Sequence, residues 1–201
     1  MIKLTKNELR DQQLRLGQLS KYLPTLQLKK AMLQAEVNSA LQEIDELEQQ
    51  FARLVSEVEP FQSLLTDRYA SLLFTGTTVD EVEKEWGNIA GIDIPTFVSV
   101  KFKEAPYRLM GTPLWIDSAL KRLRKLVSKK ENIRVVEEKK MALEKELREV
   151  SIRVNLFEKI MIPRTQNAIK RIRVFLGDQQ LSAVSQAKVA KRKIEERNRD
   201  R

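Results

Sequence analysis

The 201-residue sequence contains no cysteine and no histidine. The first absence excludes disulfides, thiolate nucleophiles and cysteine-ligated zinc; the second removes the commonest general base and the commonest metal ligand. Glycine and proline are scarce, six of each, a balance nearer to long helices than to a loop-rich globule. None of the glycines precedes a lysine, no two are spaced as GxG, and none flanks a serine as GxSxG. The phosphate loop, the dinucleotide fingerprint and the nucleophile elbow are therefore all missing. The longest stretch without a charge, Tyr69 to Val79, has 11 residues, well short of the roughly 20 that a membrane helix needs. Lys3, Lys6, Glu8 and Arg10 open the chain with no apolar run behind them, so no signal peptide is read there and a cytoplasmic location is expected.

Charge is abundant, at 32% of residues with a net +9, and it is unevenly placed. Residues 1–60 and 61–111 sum to −1 and −2, whereas 112–176 and 177–201 sum to +9 and +3. A basic half of this kind can serve nucleic acid, anionic lipid or an acidic protein surface.

Hydrophobic spacing gives the fold class. From Leu9, steps of three and four meet Leu9, Gln12, Leu16, Leu19, Leu23, Leu26, Lys30, Leu33, Val37, Ala40, Ile44, Leu47, Phe51, Leu54 and Val58. A 3.5-residue repeat sustained this long predicts a supercoil against a partner helix. Thr5 and Glu8 have capping-box spacing at its start, and Pro60 ends it for want of an amide hydrogen. Pro24 lies inside the helix, either as a tolerated bend or as curvature fitted to a surrounding partner.

A second helix is expected from Thr112-Pro113, a cap followed by the favoured first helical residue. Its stripe runs Ile116, Ala119, Leu123, Leu126, Lys130, Ile133, then after a one-residue slip Val136, Lys140, Leu143, Leu147, Val150, Val154, Phe157, Met161, Thr165, Ala168, Ile172 and Phe175. Pro113 to Leu176 would extend roughly 96 Å as a helix. Pro163 should free the carbonyl of Lys159 and bend it, and Gly177 either ends it or interrupts it.

The expected architecture is all-α: residues 1–60 and 112–201 form a long antiparallel two-helix coiled-coil hairpin. Residues 61–111 make a small middle region at the bend. There Phe61 to Phe74 suggests a short helix, Gly91 to Pro95 a turn, and Thr96 to Phe102 a strand with Val98, Val100 and Phe102 on one face. A β-hairpin is expected in that region.

Two features invite a function. Ile152, Leu156 and Ile160 add an apolar row beside the main stripe, either a broad bundle seam or a surface that a further protein covers. Basic runs occur at Lys121, Arg122, Arg124 and Lys125 and at Lys188, Lys191, Arg192 and Lys193. Such runs on helices are solvated faces or nucleic-acid contacts, but three Tyr and two Trp offer little base stacking and no basic region precedes a zipper. The pairs Glu137-Glu138 and Glu144 with Glu149 would keep near-normal acidity on an exposed flank, with no pocket in which to catalyse.

The segment Arg153-Val154-Asn155-Leu156-Phe157-Glu158-Lys159-Ile160-Met161-Ile162-Pro163, with Ala168 to Ile172 behind it, resembles the D subunit of the V/A-type rotary ATPases. Leu4 to Asn7 and Tyr22 to Lys30 resemble the form found in bacterial members such as the chlamydial ones, and the likeness spans nearly the whole chain. Leu156 and Phe157 depart from the alanine many relatives carry after the Asn.

The resemblance implies a noncatalytic central shaft inside a ring of catalytic A and B subunits, with the F subunit at its side and the membrane rotor reached through the C subunit. It implies no cofactor, no metal, no nucleic acid, no directly bound small molecule, and contact with the membrane only through the rotor. Lys121, Arg122, Arg124 and Lys125 are expected to face acidic groups of the ring, as is the run from Lys188. Arg153, Asn155 and Glu158 are expected to contact the F subunit or the opposing helix. The competing expectation is a basic coiled coil that binds nucleic acid or acts as a scaffold; a self-associating coil is a third.

Overall fold

The structure is a computed structural model and describes residues 3–59, 70–104, 112–113 and 115–199. Its elements are α1 (Lys6–Val58), α2 (Ala70–Gly76), β1 (Val79–Ile89), β2 (Ile92–Phe102), α3 (Trp115–Asn155), a π-helical turn (Leu156–Met161) and α4 (Ile162–Arg199). Two compact units emerge, Met1–Leu28 with Val150–Arg201, and Lys29–Glu149. No helix among the described residues is long and apolar enough to cross a membrane.

At the start of α1, the Glu8 amide donates to Thr5 Oγ1 at 3.3 Å, so one half of the capping box forms. The Glu8 carboxylate turns instead to Gln12, accepting from its Nε2 at 2.8 Å. Every position of the stripe from Leu9 to Val58 is buried or half-buried, while nearly all the intervening residues are exposed. Pro24 is accommodated without a break in α1. Pro60 lies outside the described residues; α1 ends two residues before it.

In the unit Lys29–Glu149 the two long helices run antiparallel. Lys29 Nζ pairs with Glu146 at 2.8 Å, Lys139 Nζ with Glu43 at 3.1 Å, and Arg122 Nη1 donates to the Glu57 carbonyl at 3.3 Å. The α3 number falls as the α1 number rises. Leu33, Val37, Ala40, Ile44 and Leu47 of α1 and Leu120, Val135, Val136 and Leu143 of α3 are buried, each large side chain contributing roughly 1.5–3 kcal/mol. The slip after Ile133 shows as two consecutive buried valines, Val135 and Val136, and Lys130 falls off the seam into solvent. Leu73 of α2 packs with Ile116 and Leu120 in a second cluster. α3 begins at Trp115, with the Ile116 amide bonded to the Pro113 carbonyl at 3.2 Å, rather than at Pro113 itself.

In the unit containing both termini, Leu19, Val150, Val154, Thr165, Ala168, Ile169 and Ile172 are buried. The Thr165 hydroxyl is satisfied by the Met161 carbonyl at 2.8 Å. Pro163 acts one turn upstream. Its ring and missing amide exclude the ordinary bond to Lys159, and the preceding turn widens so that the Ile162 amide reaches the Phe157 carbonyl, five residues back. Gly177 neither ends nor interrupts α4, which continues to Arg199. Phe175, expected on the seam, is 38% exposed.

The strands form one antiparallel hairpin. Ile89 pairs with Ile92 across a two-residue turn at Ala90 (φ 53°) and Gly91 (φ 84°), the left-handed pair of a type I′ turn. The turn is therefore tighter than expected, and Ile92 to Pro95 belong to β2. Gly91 suits its position, whereas Ala90 is strained by its Cβ. Ala90→Asn or Ala90→Gly is expected to stabilise the hairpin by about 0.5–1 kcal/mol, read as slower hydrogen exchange of the β1 and β2 amides.

Glu83 pairs with Ser99 and Lys84 with Phe97, which makes Val98 the extra residue of a β-bulge. The bulge breaks the expected alternation: Val98 is 53% exposed, while Val100 and Phe102 are half-buried.

Candidate functional site

The sequence points to a surface rather than a pocket, and the structure sorts its residues by what each touches. Of the first basic cluster, two arginines are tied into the fold. Arg124 Nε donates to the Gly76 carbonyl at 2.8 Å and Nη2 to the Lys103 carbonyl at 3.4 Å. Its guanidinium lies 5.2 Å from the Phe102 ring centroid, a cation–π distance. One side chain thus joins the end of α2, the end of β2 and α3. Arg122 reaches across to α1. Lys121 and Lys125 are exposed and have no ion-pair partner among the described residues.

The second cluster lies on the exposed end of α4. Lys191 and Arg192 face Glu195 and Glu196 at 3.8 and 3.4 Å, so local pairs offset part of that basic run, each worth a few tenths of a kcal/mol at most. Lys188 and Lys193 stand in solvent. Leu181, Val184, Val189 and Ile194 on the same stretch are all more than half exposed.

Arg153, Asn155 and Glu158 are exposed at the junction of α3 and the π turn. Asn155 occupies the N-cap position of the turn without a side-chain capping bond. Beside them Ile152 is 60%, Leu156 40% and Ile160 55% exposed. Of the two readings of this row, the intrachain seam fails, because the partner helix does not cover it.

The hairpin was only partly legible. It is fastened to α3 by the ion pair of Lys84 with Glu138, and across its outer face Lys101 Nζ lies 3.1 Å from Glu81 and 2.6 Å from Glu83. The hydrogen bond from Lys101, then that from the Ser99 hydroxyl, holds the Glu83 carboxyl below its ordinary range. The hydrogen bond to Glu83, then that to Glu81, together with the charges of both carboxylates, raises Lys101. A depressed carboxyl contributes stability that is present above its unfolded pKa, near 4, and lost as pH falls through the folded value. The raised lysine contributes below its unfolded pKa, near 10.4, and loses that as pH rises further. Hairpin protection is thus expected to be flat from about pH 5 to 10 and to weaken below about pH 4. In Glu83→Gln the acid limb should shrink, as monitored by hydrogen exchange or by fluorescence of the exposed Trp86.

Sequence reasoning missed a groove between this hairpin and α3, lined by Leu54, Phe97, Phe102, Lys121, Lys125 and Lys129 among others. The four-residue spacing of the lysines was visible in the sequence. The meeting of Phe97 and Phe102 was not: five residues apart, they share a face because the bulge at Val98 absorbs one position.

Comparison with known proteins agrees with the resemblance. The family model described as the D subunit of ATP synthase matches residues 8–192. A protein from Chlamydia caviae, named as the D subunit of V-type ATP synthase, is 41% identical over 200 residues, covering 99% of this chain and 96% of its own length. The proteins of that name from Chlamydia trachomatis serovar L2 and Chlamydia pneumoniae are 42% and 41% identical, covering 97% and 96% of this chain and 97% and 93% of their own lengths.

Proposed function

Because the chain belongs to the family of ATP synthase D subunits, we propose that it is the central rotor shaft of a V/A-type rotary ATPase. In this role it carries torque between ATP hydrolysis or synthesis in a catalytic ring of A and B subunits and proton or sodium transport by the membrane rotor. The F and C subunits are its further partners, and the chain itself is noncatalytic. The observation that carries the reading is the family match from residue 8 to residue 192 on two helices of 53 and 41 residues, continued by α4. A torque element must be long and stiff, and heptad-packed helices supply that.

The +12 on residues 112–201 faces acidic groups of the ring and passes among equivalent positions as the shaft turns. In this reading Lys121, Lys125, Lys188 and Lys193 are the mobile contacts, with Lys191 and Arg192 beside them. Arg122 and Arg124 hold the chain's own backbone and support the others. Arg153, Asn155 and Glu158, with the apolar row of Ile152, Leu156 and Ile160, form the contact for the F subunit. Exposed apolar side chains concentrated beside polar ones are what a partner covers.

The test is a pull-down of the tagged chain from its native cell with a high-salt wash. The reading expects the A, B and F subunits of the ATPase to remain bound, and F to be lost from an Arg153→Ala/Asn155→Ala/Glu158→Ala variant that melts at the parental temperature. Recovery only of nucleic acid, released steeply as salt rises, would replace it with the basic-coil alternative.

A further inference from the structure

The groove between the hairpin and α3 has an apolar floor and a basic wall. Leu54 of α1 and Phe97 and Phe102 of β2 form the floor of an open groove of about 650 Å³. Lys121, Lys125 and Lys129 stand along α3 at intervals of four residues, about 6 Å apart on one helix face. None of the described residues lining the groove is acidic. Elsewhere on α3, Lys139 pairs with Glu43 and Lys140 with Glu144, while Lys130 and Lys145 are single exposed lysines outside the groove lining. The three groove lysines have no carboxylate partner among the described residues, so their like charges repel along the helix. A half-buried apolar floor beside a cationic row without carboxylate partners among the described residues is complementary to one kind of surface, with aliphatic side chains flanked by carboxylates.

We infer that this groove is the docking site of an acidic amphipathic helix supplied by another protein chain. An occupant has to meet the apolar residues and the lysine row of one groove together. A helix meets that geometry, because its apolar stripe and the acidic flank beside it point in neighbouring directions. A strand presents its two sets of side chains to opposite faces and would engage only one. Carboxylates at i, i+4 and i+8 of the incoming helix match the lysine repeat. The inference deepens the reading above, since it gives the acidic groups that Lys121 and Lys125 meet the form of a helix; binding of an isolated peptide requires no rotation, so a rotation assay and a test of this site can fail separately.

The test uses the purified full chain and a short stapled helical peptide with leucines along one stripe and glutamates along its flank, beside a twin carrying glutamine in place of glutamate. By fluorescence anisotropy in low salt the glutamate peptide should bind about tenfold more tightly, and the advantage should fall to about twofold near 0.5 M salt. In a Lys121→Gln/Lys125→Gln/Lys129→Gln variant with unchanged helical circular dichroism, the two peptides should bind alike. Phe97→Ser should weaken both by a similar factor. Equal binding of the two peptides to the parental chain would overturn the inference, as would a glutamate preference that survives in the triple variant. For the native occupant, a photo-crosslinking residue at Ser128 in the assembled complex should attach to a segment with acidic residues at helical spacing. Attachment to a basic or uncharged segment would contradict it.

Discussion

Leu143→Ala is expected to destabilise the chain by ~2–5 kcal/mol, lowering the melting temperature by roughly 10 °C for a chain of this size. Leu143 is 0% exposed on α3, in the unit where Val37, Ala40 and Ile44 line the facing stripe of α1. Truncation removes transfer free energy and leaves a cavity, because a helix held at both flanks cannot collapse into the space. The informative control is two residues away. Met141 is 61% exposed, and Met141→Ala should change stability by less than ~0.5 kcal/mol. Thermal denaturation of the two variants separates a heptad seam from a merely hydrophobic helix. A Leu143→Ala loss no larger than that of the control would mean that the stripe is not the seam.

The second large effect has the opposite sign. Pro24→Ala should stabilise the chain by ~2–3 kcal/mol, since an interior proline costs about 3 kcal/mol relative to alanine. The site favours a clean result. α1 is helical on both sides of Pro24, the ring is exposed, and little packing is lost with it. The new amide returns a donor to the Ser20 carbonyl. Thermal melting gives the gain directly. ATP-driven rotation of an assembly carrying the variant then decides between the two readings of Pro24. Unchanged rotation marks a tolerated distortion, and loss of rotation despite higher stability assigns the local geometry to a partner.

The helical part of the fold was legible because heptad burial is a local, periodic signal. Each residue of the α1 stripe, even Gln12 and Lys30, lies on the covered side. Lys130 and Phe175 were misplaced for different reasons. A one-residue slip at Ile133 rotates the helix, which shifts Lys130 outward and brings both Val135 and Val136 inside. Phe175 lies where the chain's own cover thins out toward the exposed end of α4. At Pro163 the sequence announced a lost hydrogen bond, but that the preceding turn widens into a π turn depends on packing that no local pattern encodes.

The middle region was less readable. A bulge follows from how two strands settle against α3, so Val98 could not be seen leaving the face it shared with Val100 and Phe102 in strict alternation. The basic cluster held both kinds of residue in one run. Nothing local distinguishes Arg124, spent on the carbonyls of Gly76 and Lys103, from Lys125 beside it in water. That distinction needed the end of α2, which lies 48 residues away in the chain.

The most direct test of the shaft reading is to watch the chain turn. The sequence has no cysteine, so a single Thr96→Cys on the exposed side of β2 gives the chain one unique thiol, which can be labelled before assembly and then carry a bead in a complex whose catalytic ring is fixed to glass. A rotor shaft should carry the bead through stepwise, unidirectional rotation when ATP is added. A bead that stays fixed while the ring hydrolyses ATP at its full rate would contradict that role.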